Sequence, residues 1–221
     1  MAAPIEYVLF DLDGTVWDSA PGIIDAMAHT LAVMGLRPLP PDELARHLGP
    51  PLIEMLAEIG VPHDRLDDGR DRYRARYRSH GESMADLYPG IVELLDALRT
   101  ANLRLATATS KGIEPTRRML EGRGLTDRFD VIAAASMDAS AHHKVDVIQS
   151  ALDQLGVEPS ARVAIVGDRH YDLDGGRTFG LTTVGVSWGY GTADELFGCR
   201  PDHHVRSTAE LSVALLGKGA P

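Results

Sequence analysis

Two aspartates separated by one residue, then glycine and threonine, close the first apolar run of this 221-residue chain: Tyr7-Val8-Leu9-Phe10 leads into Asp11-Leu12-Asp13-Gly14-Thr15. Side chains at i and i+2 of a strand share a face, so Asp11 and Asp13 project together, and Gly14 lets the backbone turn behind them. A carboxylate at the mouth of an apolar strand is costly unless a cation, hydrogen bonds or solvent compensate it. A second acidic group, Gly167-Asp168-Arg169-His170-Tyr171-Asp172, follows the apolar run Val163-Ala164-Ile165-Val166. Converging carboxylate oxygens suit Mg²⁺, and no His/Cys cluster competes for a softer metal. Asp172, one helical turn after Asp168, reads either as a helix cap or as part of the acidic cluster. His170 reads as a rim residue.

Two further stretches carry chemistry suited to an anion. In Thr107-Ala108-Thr109-Ser110-Lys111 a hydroxyl can donate to a phosphoryl oxygen, with free N–H groups at the following helix start to assist. The same residue types also serve as plain helix caps. Lys111 reads as either solvated or near a pocket mouth. Lys144 opens the helical pattern Val145 to Leu155, where an ammonium meets the wrong end of the helix dipole at a cost of about 0.3–1 kcal/mol. Nearby carboxylates and a bound anion would compensate that placement. The adjacent His142-His143 lack a third ligand and make a poor metal site.

The elements that must position these groups follow from periodicity. Short apolar runs at 7–10, 103–107, 129–132, 163–166 and 182–186 read as buried parallel strands. Helical patterns separate the last four: Ile91, Leu94, Leu95 and Leu98 after Pro89, and Val147, Ile148, Ala151, Leu152 and Leu155 before Gly156. Strand–helix repetition with short links predicts an α/β fold, a doubly wound, mostly parallel sheet with sites at the carboxyl ends of its strands.

Between Thr15 and Leu87 only helix-like segments occur. Ser19 is placed to cap a helix carrying Ile23, Ile24, Met27, Leu31 and Met34, closed by Gly35. Others start near Pro41 and Pro50-Pro51, and a fourth spans about Asp64 to Ser79 with Leu66, Tyr73 and Tyr77 on one face. Its alternating arginines, at 70, 72, 74, 76 and 78, cannot all share a face, and most are expected in solvent. Residues 1–15 and 87–221 are therefore expected to form the core, and 16–86 an inserted helical cap whose two crossings lie close together, able to swing as a lid.

Composition narrows the class. With 22 basic against 32 acidic residues the formal charge is −10, which argues against nucleic-acid or anionic-membrane surfaces as partners. The single cysteine, Cys199, cannot make an intrachain disulfide, no apolar run approaches the ~18 residues of a membrane span, and Met1 to Glu6 do not form a signal-peptide pattern. A cytoplasmic setting follows as the expectation. The apolar helix faces suit a monomer and an oligomer equally.

The motifs Phe10-Asp11-Leu12-Asp13-Gly14-Thr15, Thr109, Lys144 and Gly167-Asp168, in that order, resemble the haloacid-dehalogenase-like hydrolase superfamily. Pro89-Gly90 and Gly49-Pro50-Pro51-Leu52 are similar to its phosphoglycolate-phosphatase-like branch, and the likeness spans residues 5 to 215. It implies a Rossmann-like core with a helical cap after the first strand, and Mg²⁺-dependent hydrolysis of a small phosphomonoester. Asp11 would be the nucleophile and Asp13 the general acid/base, with Thr109 and Lys144 on the transferring phosphoryl group. Asp11, the main-chain carbonyl of Asp13 and Asp168 would hold Mg²⁺, supported by Asp172. Lys144-Val145-Asp146 departs from the family's usual Lys-Pro-x-Pro-Asp at that helix start.

Asp13 itself argues against dehalogenation, which needs no acid for a halide. A cap of residues 16–86 without lysine argues against Schiff-base phosphonate cleavage. The alternatives are a phosphosugar mutase, a 5'-nucleotidase, a protein tyrosine phosphatase and a non-enzymatic phosphate-binding regulator. Arg46, His47 and the Tyr73/Tyr77 helix are candidates to meet a leaving group, and a guanidinium there would favour a carboxylate-bearing substrate such as 2-phosphoglycolate.

Overall fold

The computed structural model describes residues 4–136 and 143–217. The chain divides into two compact units, one of residues up to Val16 and from Leu87, the other Trp17–Asp86. In order, the elements are β1 (Tyr7–Phe10), β2 (Trp17–Asp18), α1 (Ala20–Val33), α2 (Pro41–Leu44), α3 (Leu52–Glu58), α4 (Leu66–Ser79), β3 (Asp86–Leu87) and α5 (Ile91–Thr100). Then come β4 (Arg104–Gly112), α6 (Ile113–Gly122), β5 (Val131–Ala135), α7 (Lys144–Leu155), β6 (Val163–Gly167) and α8 (His170–Thr178). The chain closes with β7 (Thr182–Val186), α9 (Ala193–Cys199), β8 (His203–Val205) and α10 (Thr208–Leu216). Among the described residues no helix is long and apolar enough to cross a membrane.

The first unit is the doubly wound α/β core. Its six strands run in the order β5-β4-β1-β6-β7-β8, every pair parallel. β1 lies between β4 and β6, so the chain winds outward in one direction through β4 and β5, then crosses over to build the other half. The crevice at such a switch point opens beside the carboxyl end of β1. Register sharpens this: Phe10 pairs with Thr107 on one side and Val166 on the other. Asp11 and Asp168, just past β1 and β6, and Thr109 in β4 therefore lie within two residues of one level.

Burial explains why these runs are strands. Val8, Leu9 and Phe10 are fully buried, as is all of β6, because helices cover both faces. α7 lays Val147, Ile148, Ala151, Leu152 and Leu155 on Leu9, Ala106, Ala108, Val163 and Ile165. Each large aliphatic side chain so removed from water contributes about 1.5–3 kcal/mol before ordering costs. Gly156, at φ +67°, ends α7 in the left-handed conformation that glycine takes without strain.

Several boundaries differ from those read in the sequence. β4 continues through Thr109 and Lys111 to Gly112, with a register shift between Thr109 and Gly112 against β5. β8, with little apolar content beyond Val205, is held at the sheet edge by pairing to β7. Two-residue strands, β2 and β3, pair at the two ends of the helical unit. Ser19 occupies the N-cap position of α1 without capping it, and the Asp18 carboxylate instead accepts from Ala20 N at 3.0 Å.

In the helical unit α1 packs on α4, which buries Tyr73 and Tyr77 with their rings stacked at 5.7 Å. The α4 arginines are more paired than expected. Arg76 grips Asp25 of α1 through two hydrogen bonds of 2.7 and 3.0 Å, and this bond holds the Asp25 carboxyl below its ordinary range. Arg70 pairs with Asp67 and Asp71, and Arg72 with Asp68, on the exposed face. His47 meets Glu58 at 3.0 Å.

Gly22, in the first turn of α1, lies so close to Gly81 that a Cβ would overlap its carbonyl. Alanine for glycine in a helix ordinarily stabilises by about 0.5–1 kcal/mol. Here Gly22→Ala should instead destabilise by about 1–3 kcal/mol through overpacking. Urea unfolding checks the sign, and a gain in stability would contradict the close approach.

Candidate active site

The strand ends bring three carboxylates and one ammonium together. Asp11 leaves β1 with its N–H on the carbonyl of Val166 at 2.9 Å, and its Oδ1 accepts from Lys144 Nζ at 2.7 Å. The same ammonium donates to the carbonyl of Ala108 at 2.9 Å and lies 2.6 Å from Asp172 Oδ1. Asp172 Oδ1 thus faces the ammonium as an ion pair. Asp172 Oδ2 accepts from Arg169 N at 3.2 Å, which closes the first turn of α8. Both readings of Asp172, helix cap and cluster member, describe the same side chain.

Asp168 is fully buried. Its Oδ1 accepts from the hydroxyl of Thr15 at 3.2 Å and its Oδ2 from Tyr190 N at 2.6 Å. One oxygen each of Asp11, Asp168 and Asp172 lie within 4.8 Å of one another. Glycines make the enclosure possible. A Cβ on Gly14 or Gly189 would overlap the Asp168 side chain, one on Gly167 the Asp172 carboxylate, and one on Gly191 the Asp168 carbonyl.

The cluster is short of positive charge. Three carboxylates face one ammonium, and burial pushes the Asp11 carboxyl up to about 7, with Asp172 and Asp13 adding to the rise and Lys144 opposing it. Burial likewise drives Asp168 well above the ordinary carboxylate range, with Asp172 and Asp11 reinforcing it. Burial alone would lower Lys144, but the charges of Asp11 and Asp172 outweigh it and leave the ammonium raised. Buried, converging, under-compensated carboxylate oxygens fit a hard divalent cation.

The other residues read in the sequence take distinct places. The Asp13 carboxylate is not in the trio; its Oδ2 lies 3.0 Å from Lys111 Nζ. Lys111 is not solvated, since its side chain is only 7% exposed. Thr109 is buried, and its hydroxyl accepts from Lys111 N at 3.2 Å where the β4 register shifts. His143 is the exposed N-cap of α7, and His142 lies outside the described residues.

Sequence reading missed the segment after β7. Trp188 Nε1 donates to the carbonyl of Thr15 at 3.0 Å, and Tyr190 N holds Asp168 as above. Glu195 of α9 binds Arg169 and His170. The available signal was Ser187-Trp188-Gly189-Tyr190-Gly191, a glycine-punctuated turn directly behind a buried strand.

The profile of haloacid dehalogenase-like hydrolases matches residues 8–186. The chain belongs to the haloacid dehalogenase-like hydrolase family. Tyrosine-protein kinase PtkA of Mycobacterium tuberculosis is 46% identical over 190 residues, covering 86% of this chain and 64% of that protein. This chain thus spans less than two thirds of that relative's length. A 5'-nucleotidase of Pseudomonas aeruginosa is 32% identical over 209 residues, 94% of each chain. The crystal structure of a "predicted phosphatase" from Clostridium acetobutylicum superposes with a TM-score of 0.91 at 31% identity, covering 97% of this chain and 99% of that one. The hydrolase core carries a buried aspartate cluster suited to a divalent cation, in a fold whose members include phosphatases.

The raised carboxyls set a pH dependence. Asp11 has a folded pKa of about 7, above the ~3.9 of an unfolded Asp, so its effect on the metal-free protein is most favourable below pH ~4 and is lost as pH rises through 7. Lys144 stays charged over that range. Mg²⁺ should therefore raise the melting temperature more at pH 8 than at pH 5.5. At tenfold excess over its dissociation constant the gain at pH 8 should be about 3–6 °C. Thermal melts at both pH values with and without Mg²⁺ check this, and an equal gain would argue against cation binding at these carboxyls.

Proposed function

We propose that this hydrolase cleaves small phosphomonoesters with Mg²⁺ through an aspartyl-phosphate on Asp11. The observation that carries the reading is the Lys144 ammonium bound to Asp11 at 2.7 Å inside an aspartate cluster one strand from Thr109. In the first step an Asp11 oxygen attacks phosphorus in line, the bond to the alcohol oxygen breaks, and Asp13 gives that oxygen its proton. For this the Asp13 carboxyl exchanges its Lys111 contact for the leaving oxygen. In the second, Asp13 takes a proton from water, the water oxygen attacks phosphorus, and the bond to Asp11 breaks to release phosphate.

Lys144 holds the attacking carboxylate and balances charge on the phosphoryl oxygens, and the Thr109 hydroxyl donates to one of them. Mg²⁺, held by Asp11, Asp168 and the Asp13 carbonyl with Asp172 in support, would shield the nucleophile from the phosphate dianion. The leaving group is that of a small metabolite, with 2-phosphoglycolate the first candidate from the motif resemblance and nucleoside monophosphates next, as in the Pseudomonas relative. The same reading sets the protein in the cytoplasm, with no nucleic-acid or membrane partner.

The likeness to PtkA favours one second reading, transfer of a phosphoryl group to a protein tyrosine. A phosphate-release screen over phosphomonoesters with Mg²⁺, run beside transfer from labelled ATP to tyrosine peptides, separates the two. Phosphate release from metabolites supports hydrolysis, and label on peptide without release supports transfer.

Asp11→Asn should reduce turnover below a hundredth of wild type in a chain that still melts in one cooperative transition. More than a tenth remaining would remove Asp11 as nucleophile. Asp13→Asn should cost about 10²–10⁴-fold with an alkyl phosphate, whose leaving oxygen needs a proton. The loss should be at least tenfold smaller with an aryl phosphate of acidic phenol. Equal losses on both substrates would count against an acid role.

A further inference from the structure

Glu195 is a charged residue outside the phosphoryl-binding machinery whose side chain has an unusual load. Its Oε1 alone accepts from Arg169 Nε at 2.9 Å and from the main-chain N of His170 at 2.9 Å, and it meets the Nδ1 of His170 at 2.7 Å. All three partners sit between Asp168 and Asp172, two of the three clustered carboxylates. The first N–H of α8 has no partner within its own helix, and Glu195 supplies one from another element. Burial would raise the Glu195 carboxyl, but the bonds from His170 and Arg169 hold it down at about 2, so it is an anion throughout the working range.

Each helix has a cap of its own besides this contact. α9 is capped by its own Thr192, whose hydroxyl accepts from Glu195 N at 3.1 Å, and α9 buries Leu196 against the core. α8 closes its first turn through Asp172 on Arg169 N. The added tie acts on the short backbone stretch that sets the separation of Asp168 from Asp172. It also acts on the Arg169 guanidinium, whose charge reaches Asp168. Tyr190 N holds the Asp168 carboxylate from the β7–α9 connection, so that connection and the first turn of α9 grip successive residues of the acidic loop.

We propose that Glu195 is a positioning residue for the cation site: it fixes the Asp168–Asp172 backbone through Arg169 and His170, and it neutralises a guanidinium that would otherwise repel the cation. The inference rests on the Mg²⁺-dependent reading above. Outer-shell partners of metal ligands typically change affinity by about 10–100-fold when removed.

The test is calorimetric titration of Mg²⁺ into the full chain at pH 7.5, with melts recorded alongside. Glu195→Ala removes both shape and charge and should weaken Mg²⁺ binding at least tenfold. Glu195→Gln keeps an acceptor oxygen and loses the charge, and should weaken it at least threefold. A purely structural role would lower the melting temperature and leave the dissociation constant in place. A change below threefold in either folded variant overturns the proposal, and if Glu195→Ala does not fold, Glu195→Gln decides. If the wild-type chain itself shows no Mg²⁺ binding, the cation reading falls and takes this inference with it. If wild type binds and the variants match it, the positioning role alone falls.

Discussion

The core is organised by one electrostatic constraint, three carboxylates buried together of which a single ammonium reaches two. Lys144 touches Asp11, Asp172 and the Ala108 carbonyl, so it ties the first residue of α7 to the end of β1, to the middle of β4 and to α8. A buried ion pair of this kind gains little over an apolar packing of the same shape, since desolvation offsets its attraction. Its presence is better understood through what it leaves over, a negative excess among carboxylate oxygens that lie within 4.8 Å of one another. Burial, reinforced by the neighbouring carboxylates, pushes both Asp11 and Asp168 up.

The rest of the core serves that cluster through geometry. Parallel strands bring their carboxyl ends to one side of the sheet, and the order β4-β1-β6 puts the three acidic or hydroxyl-bearing ends next to each other. Neighbouring strands lie about 4.8 Å apart, so side chains leaving them at one level can meet a common ion. Glycines at 14, 167, 189 and 191 let backbone close over the acids where any side chain would intrude. The loop after β7 completes the wall, with Trp188 on Thr15 and Tyr190 on Asp168.

The helical unit follows a different logic. Its packing is carried by α1 against α4, the stacked Tyr73 and Tyr77, the Asp25–Arg76 bond and the Gly22–Gly81 approach. The exposed Arg–Asp pairs along α4 add little, since such pairs are worth about 0–1 kcal/mol each. Arg76 stands apart because two parallel bonds to one carboxylate hold its plane in register with a neighbouring helix.

Asp11 and Asp168 were legible because acids that end apolar runs are expensive, and that expense shows in composition and order alone. The parallel core, its α/β winding and the family were readable for the same reason: periodicity and motif order are local properties of the chain. Asp172 was legible only as a pair of alternatives, and the structure gives its two oxygens one task each. The Lys111–Asp13 contact, the Glu195 tie and the loop of Trp188 and Tyr190 were not legible. Each joins residues that only strand register and crossover make neighbours, and nothing in a single line of residues records which carboxylate a distant ammonium will face. β8 was missed likewise, since an edge strand draws its stability from the β7 backbone beside it and needs little apolar pattern of its own. The sequence by itself thus determined which groups must be compensated, through the free energy of burying charge; the tertiary structure decided which partners compensate them, because that depends on distances between elements far apart along the chain.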